Sequence, residues 1–267
     1  MPLQTADLSL FIKGESCLHS VHPLSKLTYV LLTGVAVYCA PGGYLPAAIL
    51  LGINLLLAAV SGILLQVWKF SWRTLLPLAL FMIPIHGFLN PDNHTVLISF
   101  HGAGLYLEGL VFAGRVLLQL AAVLSISLIF VFTTHPADLI TSLTQAGLSA
   151  SFAYILGSPL LLLPAMRERA KTIQDAQRAR GLGSDGGVIK RIRSMAPLIS
   201  PLILGAFAEI EQRAIALELR GFNSARSKTS LRVVPDSATQ RAVRKLMLLV
   251  CILLFIYKIV PYQYVSY

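Results

Sequence analysis

The sequence predicts an all-α, polytopic membrane protein with about five transmembrane helices plus a set of cytoplasmic helices. Three observations carry this. The 267 residues are 55% hydrophobic and only 13% charged, with a mean hydropathy of +0.72, against roughly a quarter charged in soluble domains. Apolar stretches reach the roughly 20 residues that span a hydrocarbon core of about 30 Å as a helix. The net charge of +10 is unevenly placed: Lys and Arg are concentrated between residues 134 and 245, and outside that region only Lys13, Lys26, Lys69, Arg73, Arg115 and Lys258 occur.

The apolar stretches are Leu24–Ala40, Tyr44–Leu65, Thr74–Leu89, Leu105–Phe132 and Leu246–Val260. The third is short and holds Pro77 and Pro84, which predicts a kink or break. The fourth begins with Glu108 and Arg115, so its start is expected above the hydrocarbon or tilted. Gln66–Arg73 reads as a loop with Lys69 and Arg73, whereas Pro41–Gly43 and Asn90–Gly104 carry no Lys or Arg. Positive charge stays on the cytoplasmic side. The N-terminus, the 66–73 loop and everything from Thr133 to Lys245 are therefore expected in the cytoplasm, and an odd number of spans puts the C-terminus outside. No basic region followed directly by a short apolar run opens the chain, so no removable signal peptide is expected.

Three regions follow: 1–133 with about four spans, 134–245 cytoplasmic or interfacial, and 246–267 with the last span. The middle region is not one soluble domain. Ala137–Leu148 is amphipathic, with Leu139, Ile140 and Leu143 on one side. Phe152–Leu163 and Leu198–Phe207 are apolar runs, each passing into a charged helical pattern. Met166, Ala170 and Ile173 share one helical face; Phe207, Ile210, Ala214 and Leu217 share another. Each of these two helices contains Ser-Pro-Leu and ends in Arg-Gly, at Arg180-Gly181 and Arg220-Gly221. Glycine after a helix is a common C-cap, and arginine there faces the negative end of the helix dipole. Ordinary capping explains one such pair. Two, in matched positions 40 residues apart, read as a docking device.

The remaining residues exclude several functions. Cys17, Cys39 and Cys251 are far apart and read as buried free thiols. The chain has no Gly-Lys pair and hence no P-loop. Gly181-Leu182-Gly183-Ser184-Asp185-Gly186 fits G-x-G-x-x-G by letter but follows a helix, so it reads as an inter-helix loop. His94, His101 and Asp92 sit on the expected outer loop and read as solvated rather than as a metal entry site; His19 and His22 read as a surface turn. Glu108 and Arg115 are too far apart to pair easily and read as structural anchors. Glu168/Arg169 and Glu209/Glu211/Arg213 have spacings for local helix-surface ion pairs, with no special role assigned. No acidic or histidine relay crosses the spans, which opposes a stand-alone secondary transporter, and no catalytic cluster supports an intramembrane enzyme. The basic region lacks the interleaved aromatics of a nucleic-acid binder.

The motifs carry a specific resemblance. Ala179-Arg180-Gly181 and Leu219-Arg220-Gly221 are similar to the paired X-Arg-Gly motifs of the transmembrane T component of energy-coupling factor (ECF) transporters, the family that includes the cobalt- and biotin-uptake permease subunits. Leu219 stands where alanine is common. Leu18-His19-Ser20-Val21-His22-Pro23-Leu24-Ser25-Lys26-Leu27 resembles the family's entry into its first span, with His22 where aspartate is frequent. Thr134-His135-Pro136-Ala137-Asp138-Leu139 resembles the segment that opens its coupling region. The resemblance implies a multi-pass scaffold of a prokaryotic plasma (inner) membrane, in which the Arg-tipped segments are cytoplasmic coupling helices. It implies two ABC-type ATPase partners docked on Ala179, Arg180, Gly181, Leu219, Arg220 and Gly221. It also implies one small hydrophobic substrate-binding membrane subunit, which takes up a vitamin or a transition-metal ion. Met166, Ala170, Ile173, Phe207, Ile210, Ala214 and Leu217 are candidates for contact with that subunit, or for packing of the two helices on each other. ATP and Mg would be held by the ATPases, with no catalytic residue, cofactor or metal on this chain.

Overall fold

A computed structural model describes residues 11–12, 14, 16–41, 43–89, 94–100, 103–181, 188–224 and 233–264. The elements in chain order are α1 (Cys17–Ser20), α2 (Pro23–Cys39), α3 (Leu45–Val60), α4 (Leu64–Leu89), β1 (Val96–Phe100), β2 (Ala103–Tyr106), α5 (Leu107–Thr133), α6 (Pro136–Gln145), α7 (Ala150–Ala179), α8 (Val188–Leu219) and α9 (Ala238–Tyr264). The protein is an all-α membrane protein. By length and composition α4, α5 and α7 can cross a bilayer, and α2 and α3 are shorter apolar helices. The chain divides into two compact units, one with α1–α5, most of α6, and α9, the other with α7 and α8.

In the first unit α5 is central, packing on α2, α3 and α4, while α9 packs on α2. Ala58, Ile63, Val67, Ile126, Ile129 and Phe132 form one core cluster; Val37, Ala47 and Ala122 form another. Outward faces carry Ile49, Leu56, Leu65, Leu80, Phe81 and Leu253, all exposed. Such apolar faces belong against lipid.

Hydrocarbon supplies no hydrogen-bond partners, so buried polar groups must find them inside. Asn54, fully buried on α3, donates to the Ala122 carbonyl at 2.9 Å and the Ser125 hydroxyl at 3.2 Å on α5, and accepts from the Tyr29 hydroxyl on α2 at 3.1 Å. One amide thus joins three helices. Gln119 Nε2 donates to the Val37 carbonyl at 3.2 Å. The buried Lys26 ammonium donates to the Thr133 carbonyl at 2.8 Å and reaches the His19 carbonyl at 3.5 Å. It places a cation on the negative end of α5.

The helix ends differ from the sequence-based expectation in three places. First, Gln66–Arg73 is not a loop. It is the start of α4, which runs unbroken through Pro77 and Pro84. The turn falls earlier, at Ser61–Ile63, where Gly62 has φ +72°. No breaker lies between Gly62 and Pro77, and Val67 is fully buried in the core, so the helix continues past its two charges. At 26 residues α4 is about 39 Å long, longer than the hydrocarbon. Its first turns, with Lys69, Arg73 and the stacked exposed rings of Trp68 and Trp72 at 6.1 Å, suit the headgroup level. Second, the expected outer loop contains an antiparallel hairpin, β1 with β2. The Glu108 carboxylate, in the first turn of α5, accepts from the Thr95 amide at 3.0 Å and the His94 amide at 3.3 Å, as an anchor. His101 and Asp92 lie outside the described side chains. Third, His22 is not a surface residue. It is 2% exposed and caps α2, its Nδ1 accepting from the Leu24 amide at 3.3 Å. Its own amide donates to Gln240 of α9 at 2.9 Å. Burial holds the imidazole below the usual histidine range, and Arg244, itself paired with Asp236 at 2.9 Å, adds to this while Asp236 opposes it. Cys39 and Cys251 are free and half-buried, and the Cys17 side chain lies outside the described residues.

α4 and α5 approach closely at Gly109. A Cβ there would overlap the His86 carbonyl oxygen and lie 2.6 Å from the carbonyl carbon and 3.0 Å from Cα of the buried Gly87. Backbone cannot yield as a side-chain end can. Gly109→Ala is therefore expected to destabilise by about 2 kcal/mol, read as a lowered thermal midpoint in detergent, whereas Gly114→Ala, with open space at its Cβ, should leave the midpoint unchanged.

Candidate functional site: two arginine-tipped helices

The second unit is built from two long helices. α7 begins at Ser149, whose hydroxyl accepts from the Phe152 amide at 3.4 Å, an N-cap bond. Its first half exposes Phe152, Ile155, Leu156 and Leu161, and its second half carries Arg167, Glu168, Lys171, Asp175 and Arg178. α8 repeats the plan, with Ile199, Ile203 and Leu204 exposed before the charged half.

Both helices end on the expected residues. α7 stops at Ala179; Arg180 is its C-cap and Gly181 follows with φ +83°. The Arg180 amide donates to the Ala176 and Gln177 carbonyls, and the Gly181 amide to Arg178 at 3.0 Å. α8 stops at Leu219 and Arg220 follows it, with Gly221 at φ +70°. There the Phe222 amide donates to Leu217 and the Gly221 amide to Glu218, each at 2.9 Å. Together these two bonds make a Schellman motif. The left-handed φ is what only glycine adopts without cost. The Phe222 ring, thrown back by the turn, packs against Tyr154 of α7 at 5.5 Å. Ala179, Arg180, Leu219 and Arg220 are all exposed, Leu219 at 84%. Among the described residues neither tip guanidinium has a side-chain partner, whereas the nearby Arg178 pairs with Asp175 at 3.6 Å.

Contacts between the helices show their direction. Arg169 of α7 meets Glu209 of α8, while the earlier Tyr154 meets the later Phe222. The helices therefore run past each other in opposite directions, and the two tips point away from each other. Arg180 lies 11 residues beyond Arg169, and Arg220 lies 11 beyond Glu209. At a helical rise of about 1.5 Å per residue, each tip stands roughly 16 Å from the ion pair, on opposite sides.

That ion pair is the part sequence reasoning missed. Glu209 accepts from Arg213 of its own helix, at 3.1 Å from Nε, and forms an ion pair with Arg169 across the gap at 3.0 Å, without hydrogen-bond geometry. Arg213 also faces the Tyr154 hydroxyl. The hydrogen bond from Arg213, followed by the charges of Arg213 and Arg169, holds the Glu209 carboxyl below its ordinary 4.5 against the opposing effect of burial. The spacing 209/213 shows a local pair, but nothing local reveals that Arg169 completes it.

The apolar stripes divide. Met166, Ala170 and Ile173 are half-buried, as is Leu217, while Phe207, Ile210 and Ala214 are exposed, Phe207 at 66% and Ile210 at 58%. The segment Leu182–Gly186 of the G-x-G-x-x-G stretch lies outside the described residues.

A unit of apolar helices long enough to cross a bilayer, together with a pair of arginine-tipped helices, defines a polytopic membrane protein. The chain belongs to the cobalt transport protein family CbiQ, which it matches over residues 14–231. It is 30% identical over 257 residues to the energy-coupling factor transporter transmembrane protein EcfT of Exiguobacterium sibiricum, covering 92% of this chain and 96% of the relative. It is 28% identical to EcfT of Brevibacillus brevis over 86% of this chain and 89% of the relative, and 27% identical to EcfT of Staphylococcus aureus over 93% and 95%. The protein is thus an ECF-transporter membrane component.

Since the folded-state carboxyl of Glu209 titrates below its unfolded value, the stability it supplies is complete above pH 4.5 and is lost as pH falls through the lower folded value. Resistance of α7–α8 to limited proteolysis should stay level from about pH 7 to about pH 5 and drop only below that. Glu209→Gln should lack this drop; an equal acid loss in the variant would assign it to other carboxylates.

Proposed function

We propose that this chain is the transmembrane scaffold and energy-transducing subunit of an ECF-type ABC importer. Two partner ATPases bind and hydrolyse ATP with Mg²⁺, one seated on the tip Ala179-Arg180-Gly181 and the other on Leu219-Arg220-Gly221. A small hydrophobic membrane subunit carries the substrate, a vitamin or a transition-metal ion, and α7 and α8 reorient it when the ATPases move.

The observation that supports this best is the pair of exposed guanidiniums, without a side-chain partner among the described residues, that follow the two helices before glycines of left-handed φ and point away from each other. A guanidinium is a rigid five-donor fork suited to bidentate carboxylate pairing. Two tips facing opposite ways suit two separate partners. The exposed stripe Phe207, Ile210 and Ala214 offers α8's apolar surface to the substrate subunit, and Met166, Ala170, Ile173 and Leu217, being half-buried, serve it through the packing of the helix pair.

For orientation, Lys26, Lys69, Arg73 and Arg244 gather at one end of the first unit, since Lys26 bonds Thr133, Phe70 packs on Phe132 at 5.6 Å, and Arg244 reaches His22 at 3.5 Å. The positive-inside rule makes that end cytoplasmic. The N-terminus and coupling helices then lie on the cytoplasmic side and the C-terminus outside, in a prokaryotic plasma membrane.

Arg180→Glu combined with Arg220→Glu should release both ATPases from the detergent-solubilised complex, because like charges now meet in each groove. Single variants should each lose about half of the bound ATPase. An intact double variant that still hydrolyses ATP in a substrate-coupled way would sink the proposal.

A further inference from the structure

We propose that the Arg169–Glu209 ion pair is the pivot of the two coupling helices: it pins the point where they pass, and it stays closed while the tips move. This rests on the reading of Arg180 and Arg220 as ATPase-docking tips. Four observations carry it. The pair sits midway between the tips, 11 residues from each, so the two helix arms beyond it are equal in length. It is the charged link that the described residues show between α7 and α8, since Asp175–Arg178 lies within α7 and Glu209–Arg213 within α8. Arg213 orients the Glu209 carboxylate from one turn away, leaving its second oxygen for Arg169. Gly205, one turn earlier on α8, lies against the Arg169 stem: a Cβ there would be in ordinary contact, 3.6 Å from Cδ and 3.4 Å from Nη1.

Magnitude separates this role from simple stabilisation. The Arg169 and Glu209 side chains keep 39% and 19% of their exposure, and partly exposed pairs add little to stability. Their geometry is another matter. Without the carboxylate, Arg169 and Arg213 face each other as like charges, and the crossing changes from attractive to repulsive. Glu209→Gln should therefore leave the helices folded and the tips free to bind, while the passing point slips.

The test uses the whole complex, co-purified with its ATPases and substrate subunit and reconstituted into vesicles. Glu209→Gln is expected to keep both ATPases and their hydrolysis, while substrate taken up per ATP hydrolysed falls about tenfold. Glu209→Asp, which retains the charge, should recover most of that ratio. A variant bearing Arg169→Cys and Glu209→Cys should be similarly uncoupled and should regain uptake when a short bis-methanethiosulfonate spacer bridges the two thiols. An unchanged ratio in Glu209→Gln, loss of ATPases from it, or a spacer that abolishes uptake would each overturn the pivot. The docking reading fails separately, by ATPases that remain bound when Arg180 and Arg220 are both replaced by glutamate.

Discussion

Hydrocarbon offers no hydrogen-bond partner, and this constraint shapes the first unit. An unpaired polar group in an apolar medium costs several kcal/mol, which favours pairing inside the protein, although the hydroxyls of Ser25, Thr33 and Thr134 are buried without a hydrogen bond among the described residues. Asn54 is matched three times, across α2, α3 and α5. The hydroxyls of Thr28, Ser61, Ser127 and Thr133 turn back onto carbonyls four residues earlier, at 2.6–2.8 Å. Lys26 spends its ammonium on the end of α5. The same bonding that makes the unit stable makes it a frame.

The helix pair works under a different rule. Its charged halves are partly exposed, so ions can remain ions with modest desolvation. Glu209 is where the two regimes meet in one side chain: enough burial for its contacts to be directional, enough exposure for the charge to survive. Burying the triad fully would raise the desolvation penalty beyond what the ion pairs return. Exposing it fully would let salt screen it. An intermediate position gives a contact with fixed geometry that does not dominate stability.

Hydropathy made most of the frame legible, because a span of 20 apolar residues has few other readings. It misplaced the start of α4, since Lys69 and Arg73 in an eight-residue tract look like a loop while Val67 is drawn into the core by neighbours distant in sequence. The hairpin β1–β2 was not legible from charge alone, which marks only a loop without Lys or Arg between two long apolar stretches, although Val96–Phe100 is a short apolar run followed by Gly102 and Gly104. His22 looked like a surface turn because burial depends on Gln240 and Arg244, more than 200 residues away. In the helix pair, the caps were legible because glycine after a helix is local chemistry. The Arg169–Glu209 contact was not, because it depends on which faces of two helices meet.

The position of the arginines at the caps, rather than a turn earlier, follows from the same reasoning. A guanidinium inside the last turn would lie along the helix side, within reach of i−3 or i−4 acids, as Arg178 lies within reach of Asp175. At the cap it stands beyond the last such acid, with the chain turned away by a left-handed glycine. It is exposed there, so no buried charge has to be tolerated in this chain. The glycine fixes the direction, the helix fixes the distance from Glu209, and the cap position keeps the guanidinium clear of the helix's own acids. A leucine in place of alanine before Arg220, 84% exposed, leaves all three in place and adds an apolar contact beside the charge. The second tip therefore differs from the first in its apolar contact surface, while the charged element of the two is the same.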